Sequence, residues 1–537
     1  MNKSVFSRRL LALVLTLLFP SFLSFAQNPY LPLWEYIPDG EPYVFEDPDR
    51  PGQYRVYIYG SHDLYQDSYC GPNQVVWSAP VDDPANWRYD GVVFSLTKDA
   101  NGELLYPGCT GETLFAPDVA LRVVNGKKQY YFYPNVQGER SAVIAVSDRP
   151  DGPFEVCNWK KDDPKHAESV LGFDPAVFVD DDGRVYGYWG FEHSYGAELD
   201  PSTMCTVKPG TRIVDGMVGS SKEEGNLFAF YEASSMRKIE DKYVFIYSRN
   251  TLEGEFGLPR VNYTLAYAYS DSPLGPWTYG GTLIDARARG VDENGKPMAT
   301  AVPYGNTHGS IAKIKDQWWV FYHRQTGEDE YSRQAMVAPI EVRVEKGKGG
   351  KVMISEAEVT SEGFQTGGLN PLAKTPAGLA CYLVNPDGVR QEYPNFFFSG
   401  SYVKATRTSP EHEGLFTMRE PFCPVVNNTS GSIVGYKYLN FDATASMKDV
   451  VLSMDLVPQN VDGTITVLVG GPSEKRGGKV VATVPVSSFE SRVLTEKTVA
   501  CRNLSLIRGK QPLFFVFSSR EKGKSICELY DFQFRVK

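Results

Sequence analysis

The chain has 537 residues, too many for one ordinary hydrophobic core and a natural length for two or three domains. A formal net charge of −10 argues against nucleic acid or an anionic membrane surface as its partner. Abundant aromatics (32 Tyr, 30 Phe and 8 Trp) among recurrent Gly and Pro suit many short strands joined by turns.

The N-terminus carries an export pattern. Lys3, Arg8 and Arg9 form a positive region, Leu10 to Phe19 an apolar run, and Ser24-Phe25-Ala26 an A-x-A-like cleavage site. Residues 1–26 are therefore expected to be a signal peptide that delivers the chain to the periplasm or beyond the cell. The apolar run falls short of the ~20 residues that span a bilayer, and no later segment is expected to cross one.

From there an aromatic strand recurs. Arg55-Val-Tyr-Ile-Tyr-Gly60 is followed by Gln129-Tyr-Tyr-Phe-Tyr133, Arg184-Val-Tyr-Gly-Tyr-Trp189, Lys242-Tyr-Val-Phe-Ile-Tyr247 and Gln317-Trp-Trp-Val-Phe-Tyr322. All but the first follow a compact hairpin signal such as Asn125-Gly126 or Asp181-Asp182-Gly183. A second phrase, Ser147-Asp-Arg-Pro-Asp-Gly-Pro-Phe154, returns as Ser270-Asp-Ser-Pro-Leu-Gly-Pro-Trp277 and more loosely in Ser78 to Trp87. Each reads as a turn closed by an aromatic that packs between sheets. Five such units imply a five-bladed β-propeller over residues 30–345, its sheets burying one another's faces. After residue 340 the texture changes. Lys346-Gly-Lys-Gly-Gly-Lys351 and Gly367-Gly-Leu-Asn-Pro371 mark a transition over 346–379, and short alternating segments over 380–537 imply a jelly-roll-like β-sandwich. The fold class is all-β.

The eight cysteines (70, 109, 157, 205, 381, 423, 501, 527) are too sparse for a disulfide scaffold, although Cys70 and Cys109 could pair after export. The six His form no HExxH or similar ligand spacing, and Asp180-Asp181-Asp182 before Gly183 reads as a hairpin turn rather than a calcium loop.

The chemistry is expected upstream of the repeats. Nine to fourteen residues before each repeated strand stands a titratable residue among apolar neighbours: Glu41, Asp118, Asp174, Glu232 and His308. Inner strands line the channel of a propeller, so residues at one phase converge at its mouth. An unpaired buried charge costs several kcal/mol, so carboxylates in this register require a reason. Paired carboxyls of different pKa supply general acid and base for cleaving a glycosidic bond.

At these residues the chain resembles glycoside hydrolase family 43, five-bladed propeller enzymes acting on arabinose-, xylose- and galactose-containing glycans, over residues 35 to 345. The resemblance implies inverting hydrolysis. It matches the family's base in an Asp-Pro motif to Glu41-Pro42, its pKa-modulating Asp to Asp174 and its general acid to Glu232. Glu in place of Asp is a departure, with Asp39 and Asp63 (in Gly-Ser-His-Asp) as fallback bases. Asp118, in Phe115-Ala-Pro-Asp118, has Phe where the family has Trp. Substrate contacts are expected from Asp118, His308, Arg324 and Asp63. His308 looks like the family's central His, implying a possible calcium ion held through water in the channel and otherwise no cofactor. The expected activity is that of an α-L-arabinofuranosidase or β-xylosidase. A galactosidase- or galactanase-type enzyme, an invertase-like retaining enzyme and a non-catalytic glycan-binding propeller are the alternatives. Gly431-Ser-Ile-Val-Gly-Tyr-Lys-Tyr-Leu-Asn-Phe441 and Pro512-Leu-Phe-Phe-Val-Phe517 resemble family 6 carbohydrate-binding modules.

Overall fold

The computed structural model describes residues 27–64, 68–95, 113–136, 143–162, 167–386, 390–391, 396–397, 400–404, 423–490 and 492–537. The expected signal peptide and Cys109 lie outside the described residues.

Five antiparallel sheets succeed one another along the chain. Blade I holds Glu41–Glu46, Tyr54–Tyr59, Asn73–Pro80 and Arg88–Ser95, and blade II Leu114–Val124, Lys127–Val136, Ala145–Ser147 and Glu155–Val156. Blade III holds Ala176–Val179, Val185–Trp189, Tyr195–Leu199 and Val214–Asp215, and blade IV Phe230–Ile239, Lys242–Arg249, Thr264–Ser270 and Thr278–Asp285. Blade V holds Ser310–Ile314, Gln317–Gln325 and Arg333–Ile340. The repeated aromatic strand of the sequence is the second strand in every blade. The first strands adjoin one another in chain order and the fifth adjoins the first, closing a ring. The N-terminal segment runs along the outer strand of blade V: Tyr30 N donates to Ala335 O (3.2 Å), and the Asn28 amide both accepts from and donates to the Val337 backbone.

The second strands are apolar on both faces because each face meets another blade. In blade I, Tyr57 and Tyr59 pack with Phe132 of blade II, while Val56 and Ile58 pack with Trp319 and Phe321 of blade V. Separate buried clusters fill the gaps between blades II and III, III and IV, and IV and V. The aromatics that end the repeated turn phrases do seal these gaps: Phe154 between blades I and II, Trp277 between III and IV, Trp87 between V and I.

Two further sheets face each other in the C-terminal half. One contains Cys527–Val536 between Val450–Pro458 and Val425–Val426, and the other contains Lys510–Ser518 between Ile433–Asn440 and Gly463–Val469. A single buried cluster that includes Leu452, Tyr436, Phe515 and Phe532 lies between them. The two segments that resemble carbohydrate-binding modules form the neighbouring strands Ile433–Asn440 and Lys510–Ser518, so their apolar pattern belongs to this core. Between ring and sandwich the chain is not loose. Val342–Val344 pairs with Val352–Ile354, whose Ile354 N donates to the Tyr267 hydroxyl of blade IV (2.9 Å). The seam continues where Arg324 of blade V, 3% exposed, donates to Ala380 O (2.9 Å) and Cys381 O (3.2 Å). Leu383 N and Val403 N donate to Thr300 O and Thr326 O.

The ring is also tied through its axis. From blade IV, Arg237 donates to Glu41 (2.8 Å) and Pro42 O of blade I and to Ile311 O of blade V. Its guanidinium lies 4.5 Å over the Tyr43 ring. The Tyr43 hydroxyl donates to Asp118 of blade II (2.7 Å), whose other oxygen accepts from Val177 N of blade III (2.7 Å). All five inner strands thus share one polar network. Removing the cation strands Glu41 in a buried site, so Arg237→Met should lower folding stability by about 3 kcal/mol in a urea titration.

Candidate active site

A cavity of about 380 Å³ opens among the inner strands, lined by Asp39, Asp174, Glu232, His308, Glu330 and Arg333 together with aromatic side chains. That volume falls in the range of small-molecule sites. Asp39, Asp174 and His308 each stand two residues ahead of the first residue of an inner strand, respectively Glu41, Ala176 and Ser310. Asp39 (φ 60°) and Asp174 (φ 47°) adopt left-handed backbone, which Asp tolerates better than most residues and which turns the side chain out of the strand's alternation. Gly60 lets the loop carrying Asp39 cross so closely, because a Cβ there would lie 2.4 Å from Pro38 O. Glu232 arrives by another route. Register shifts on both sides of it and a left-handed Ala233 (φ 69°) form a bulge, so the consecutive Tyr231 and Glu232 both face the cavity.

The three carboxyls sit in different electrostatic surroundings. Asp39 accepts from Ser61 Oγ (2.6 Å) and lies 3.4 Å from Arg333 Nη1. Burial alone would push its carboxyl up, but Arg333, His323, His308 and the Ser61 hydroxyl outweigh it and hold the group below the ordinary carboxylate range. Arg333 is itself fixed by two hydrogen bonds to Asp63 (2.7 and 2.8 Å). The Glu232 carboxyl has no hydrogen-bond partner among the described residues. Burial and the charge of Asp39, only partly offset by Arg333, push its carboxyl up to about 8. Asp174 accepts from Asn135 Nδ2 (3.0 Å) and Ala233 N (3.2 Å), which fix its orientation. Burial, with Glu232 and Asp39 nearby, raises it well above the carboxylate range. Burial takes the His308 imidazole down to about 4, leaving it neutral, with Nδ1 3.9 Å from both Asp39 Oδ1 and Asp174 Oδ2.

Several residues singled out from sequence lie elsewhere. Glu41 does not line the cavity. It is 1% exposed, and its Oε2 accepts from Arg237 and Ser235. The reason is register: Glu41 is already in the strand, and the position equivalent to Asp174 is Asp39, which the Pro-based match passed over. Asp118 is bound to Tyr43 and Val177 below the cavity, and Asp63 lies behind its wall holding Arg333. Arg324 points away, to the sandwich seam. Sequence reasoning missed Arg333, Ser61, Asn135, Tyr231 and Glu330. Sequence names Asp39 only as a fallback, and counting back from strand starts would have put it ahead of Glu41, while the missed residues become neighbours only through the closed ring.

A calcium site finds little support in the donor set. His308 Nε2 and Glu41 Oε1 are buried without hydrogen-bond partners, 3.9 Å apart. Among the described residues no group of three or more His, Cys, Asp or Glu side chains could hold a metal. One imidazole and one carboxylate oxygen do not make the six- to eight-oxygen shell of calcium.

A carboxyl held ionised and another held protonated at neutral pH, facing one pit on the axis of a five-bladed propeller, define a glycoside-cleaving enzyme. Comparison with known proteins agrees. The family model "Glycosyl hydrolases family 43" matches residues 51–346, more than half of the chain, and the chain belongs to that family. It is 32% identical over 444 residues to a xylosidase/arabinosidase of Thermoclostridium stercorarium, covering 78% of this chain and 84% of that protein. It is 30% identical over 292 residues to an arabinoxylan arabinofuranohydrolase of Bacillus subtilis (strain 168), covering 51% of this chain and 54% of the relative. Among solved structures, the family 43 arabinoxylan arabinofuranohydrolase from Bacillus subtilis with cellotetraose aligns over 96% of this chain and 98% of its own, at 19% identity and a TM-score of 0.46.

The raised Glu232 makes a prediction about stability. A carboxyl with its folded pKa near 8 contributes fully below the unfolded value near 4.5 and loses that contribution as pH rises through 8. Glu232→Gln should therefore melt with the parent at pH 4 and several degrees above it at pH 9, as read by thermal unfolding.

Proposed function

We propose that this glycoside hydrolase cleaves arabinofuranosyl or xylosyl linkages of plant-type polysaccharides and oligosaccharides, with inversion at the anomeric carbon. Glu232 donates its proton to the departing glycosidic oxygen. Asp39, kept ionised by Arg333, takes a proton from the water that attacks the anomeric carbon from the opposite face. Asp174, fixed by Asn135 and Ala233 N, is a positioning group, and because it and Glu232 are buried together and do not readily ionise at once, a proton stays available to Glu232. Neutral His308 sits between Asp39 and Asp174 and separates them. The observation that carries this reading is the opposite displacement of two carboxyls in one cavity, Asp39 down and Glu232 up. The base is thus Asp39 rather than Glu41. The choice of sugar follows the relatives named as xylosidase/arabinosidase and arabinoxylan arabinofuranohydrolase. Export rests on the pattern of residues 3–26 and suits a polymeric substrate met outside the cytoplasm. No organic cofactor enters the reaction.

Asp39→Asn and Glu232→Gln should each reduce kcat by ~10²–10⁴-fold, while Glu41→Gln costs far less. Near-parental turnover by Asp39→Asn would remove it as base. The parent's kcat/KM should fall above pH 8 as Glu232 loses its proton, and again below the ordinary carboxylate range as Asp39 gains one. Aryl α-L-arabinofuranoside and β-D-xyloside are the substrates to compare with the β-D-galactoside, with NMR reading the product anomer. Exclusive turnover of the galactoside would sink the sugar assignment, and a retained anomer the stereochemistry.

A further inference from the structure

One wall of the cavity is aromatic and continues outward past Glu232. Phe173 meets Phe191 edge to face (centroids 5.3 Å, 71°), and Phe191 meets Tyr231 in the same way (5.1 Å, 63°). All three line the cavity, yet Phe191 is 47% exposed. The backbone is shaped to hold it there. Gly190 has φ 140° and space for no side chain, since a Cβ would lie 1.9 Å from His193 O. Its N–H donates to Phe173 O (2.8 Å). On the other side Glu192, also left-handed (φ 55°), donates from its N–H to Tyr231 O (2.5 Å), and its carboxylate pairs with Lys222. The turn that presents Phe191 is therefore fastened to both of the aromatic residues it touches, so the ring is displayed at a fixed place instead of folding into the core.

We propose that Phe191 and Tyr231 form a stacking platform for the pyranose ring on the leaving-group side of the scissile bond. The inference rests on Glu232 as the general acid. The glycosidic oxygen must approach Glu232, and Tyr231 is its immediate neighbour on the same bulge. The ring carrying that oxygen is thus placed over the Tyr231–Phe191 face, where its apolar C–H face covers aromatic surface that is otherwise wet. The glycone sits deeper, between Asp39 and Glu232. The platform makes the enzyme favour a sugar attached to a further sugar over a sugar attached to a small group.

The test compares arabinofuranosyl- and xylosyl-capped xylo-oligosaccharides with the corresponding glycosyl fluorides, whose leaving group has no ring to stack and needs little protonation. Phe191→Ala should lower kcat/KM on the oligosaccharide by about 10-fold, chiefly through KM, and leave the fluoride within about twofold. Phe191→Trp should restore the oligosaccharide rate. An equal loss on both substrates, or none on the oligosaccharide, overturns the platform. Glu232→Gln on the same pair separates the premise from the proposal. A loss confined to the oligosaccharide upholds Glu232 as acid, and an equal loss on the fluoride overturns that assignment and the platform with it.

Discussion

Four carboxyls, those of Asp39, Glu41, Asp174 and Glu232, are buried around one imidazole, and two guanidinium groups serve them. Arg333 lies against Asp39 and Arg237 against Glu41, which leaves Asp174 and Glu232 without a cation of their own. Arg333 and its neighbours hold Asp39 below the ordinary carboxylate range, whereas at Glu41 burial outweighs Arg237 and pushes the carboxyl up to about 7. The cation at Asp39 and the lack of one at Asp174 and Glu232 therefore set these carboxyls apart in proton affinity. The same division explains why Asp63, remote from the cavity, matters to its chemistry: it fixes the guanidinium that keeps Asp39 ionised.

The shared phase of polar residues on the inner strands serves two ends at once. At the cavity it gathers Asp39, Asp174 and His308 from the residues just before three strands. One level down it gathers Glu41 and Asp118 into the network that Arg237 and Tyr43 spread across all five blades. Adjacent sheets in a propeller touch mainly through apolar side chains, which resist separation but have little directional preference. A buried, hydrogen-bonded axis adds direction and sets how the blades stand relative to one another. The reactive groups above that axis inherit their spacing from it.

The five blades and the sandwich could be read from the chain because each depends on local pattern. Repeated aromatic strands, repeated turn phrases and a polar residue upstream of each strand are features of short segments. The proposed base, named from sequence only as a fallback, is less plainly marked. Glu41 precedes Pro as the expected motif does, whereas Asp39 is set apart only by a left-handed backbone that no side-chain pattern announces. Arg333 approaches Asp39 from 294 residues away and Arg237 approaches Glu41 from 196, so neither pairing leaves a mark on local sequence. Arg324 was misread for the opposite reason. Its neighbourhood looks catalytic, but its partners are carbonyls of a segment that reads only as a connection.

The loop 326–332 joins the last two strands of blade V and presents Glu330 to the cavity, where it bonds to Tyr69. The outer side of that loop is stitched to the sandwich, through Val403 N to Thr326 O (2.8 Å) and the Tyr402 hydroxyl to Glu328 (3.3 Å). The sandwich is thus a buttress for one wall of the pit and not a detachable appendage. A chain trimmed at residue 346, where the match to the family model ends, would keep the carboxyls of Asp39, Glu41, Asp174 and Glu232 and lose the backing of that wall. Recombining this propeller with a foreign module means transplanting the seam as well, since the working unit is larger than the propeller alone.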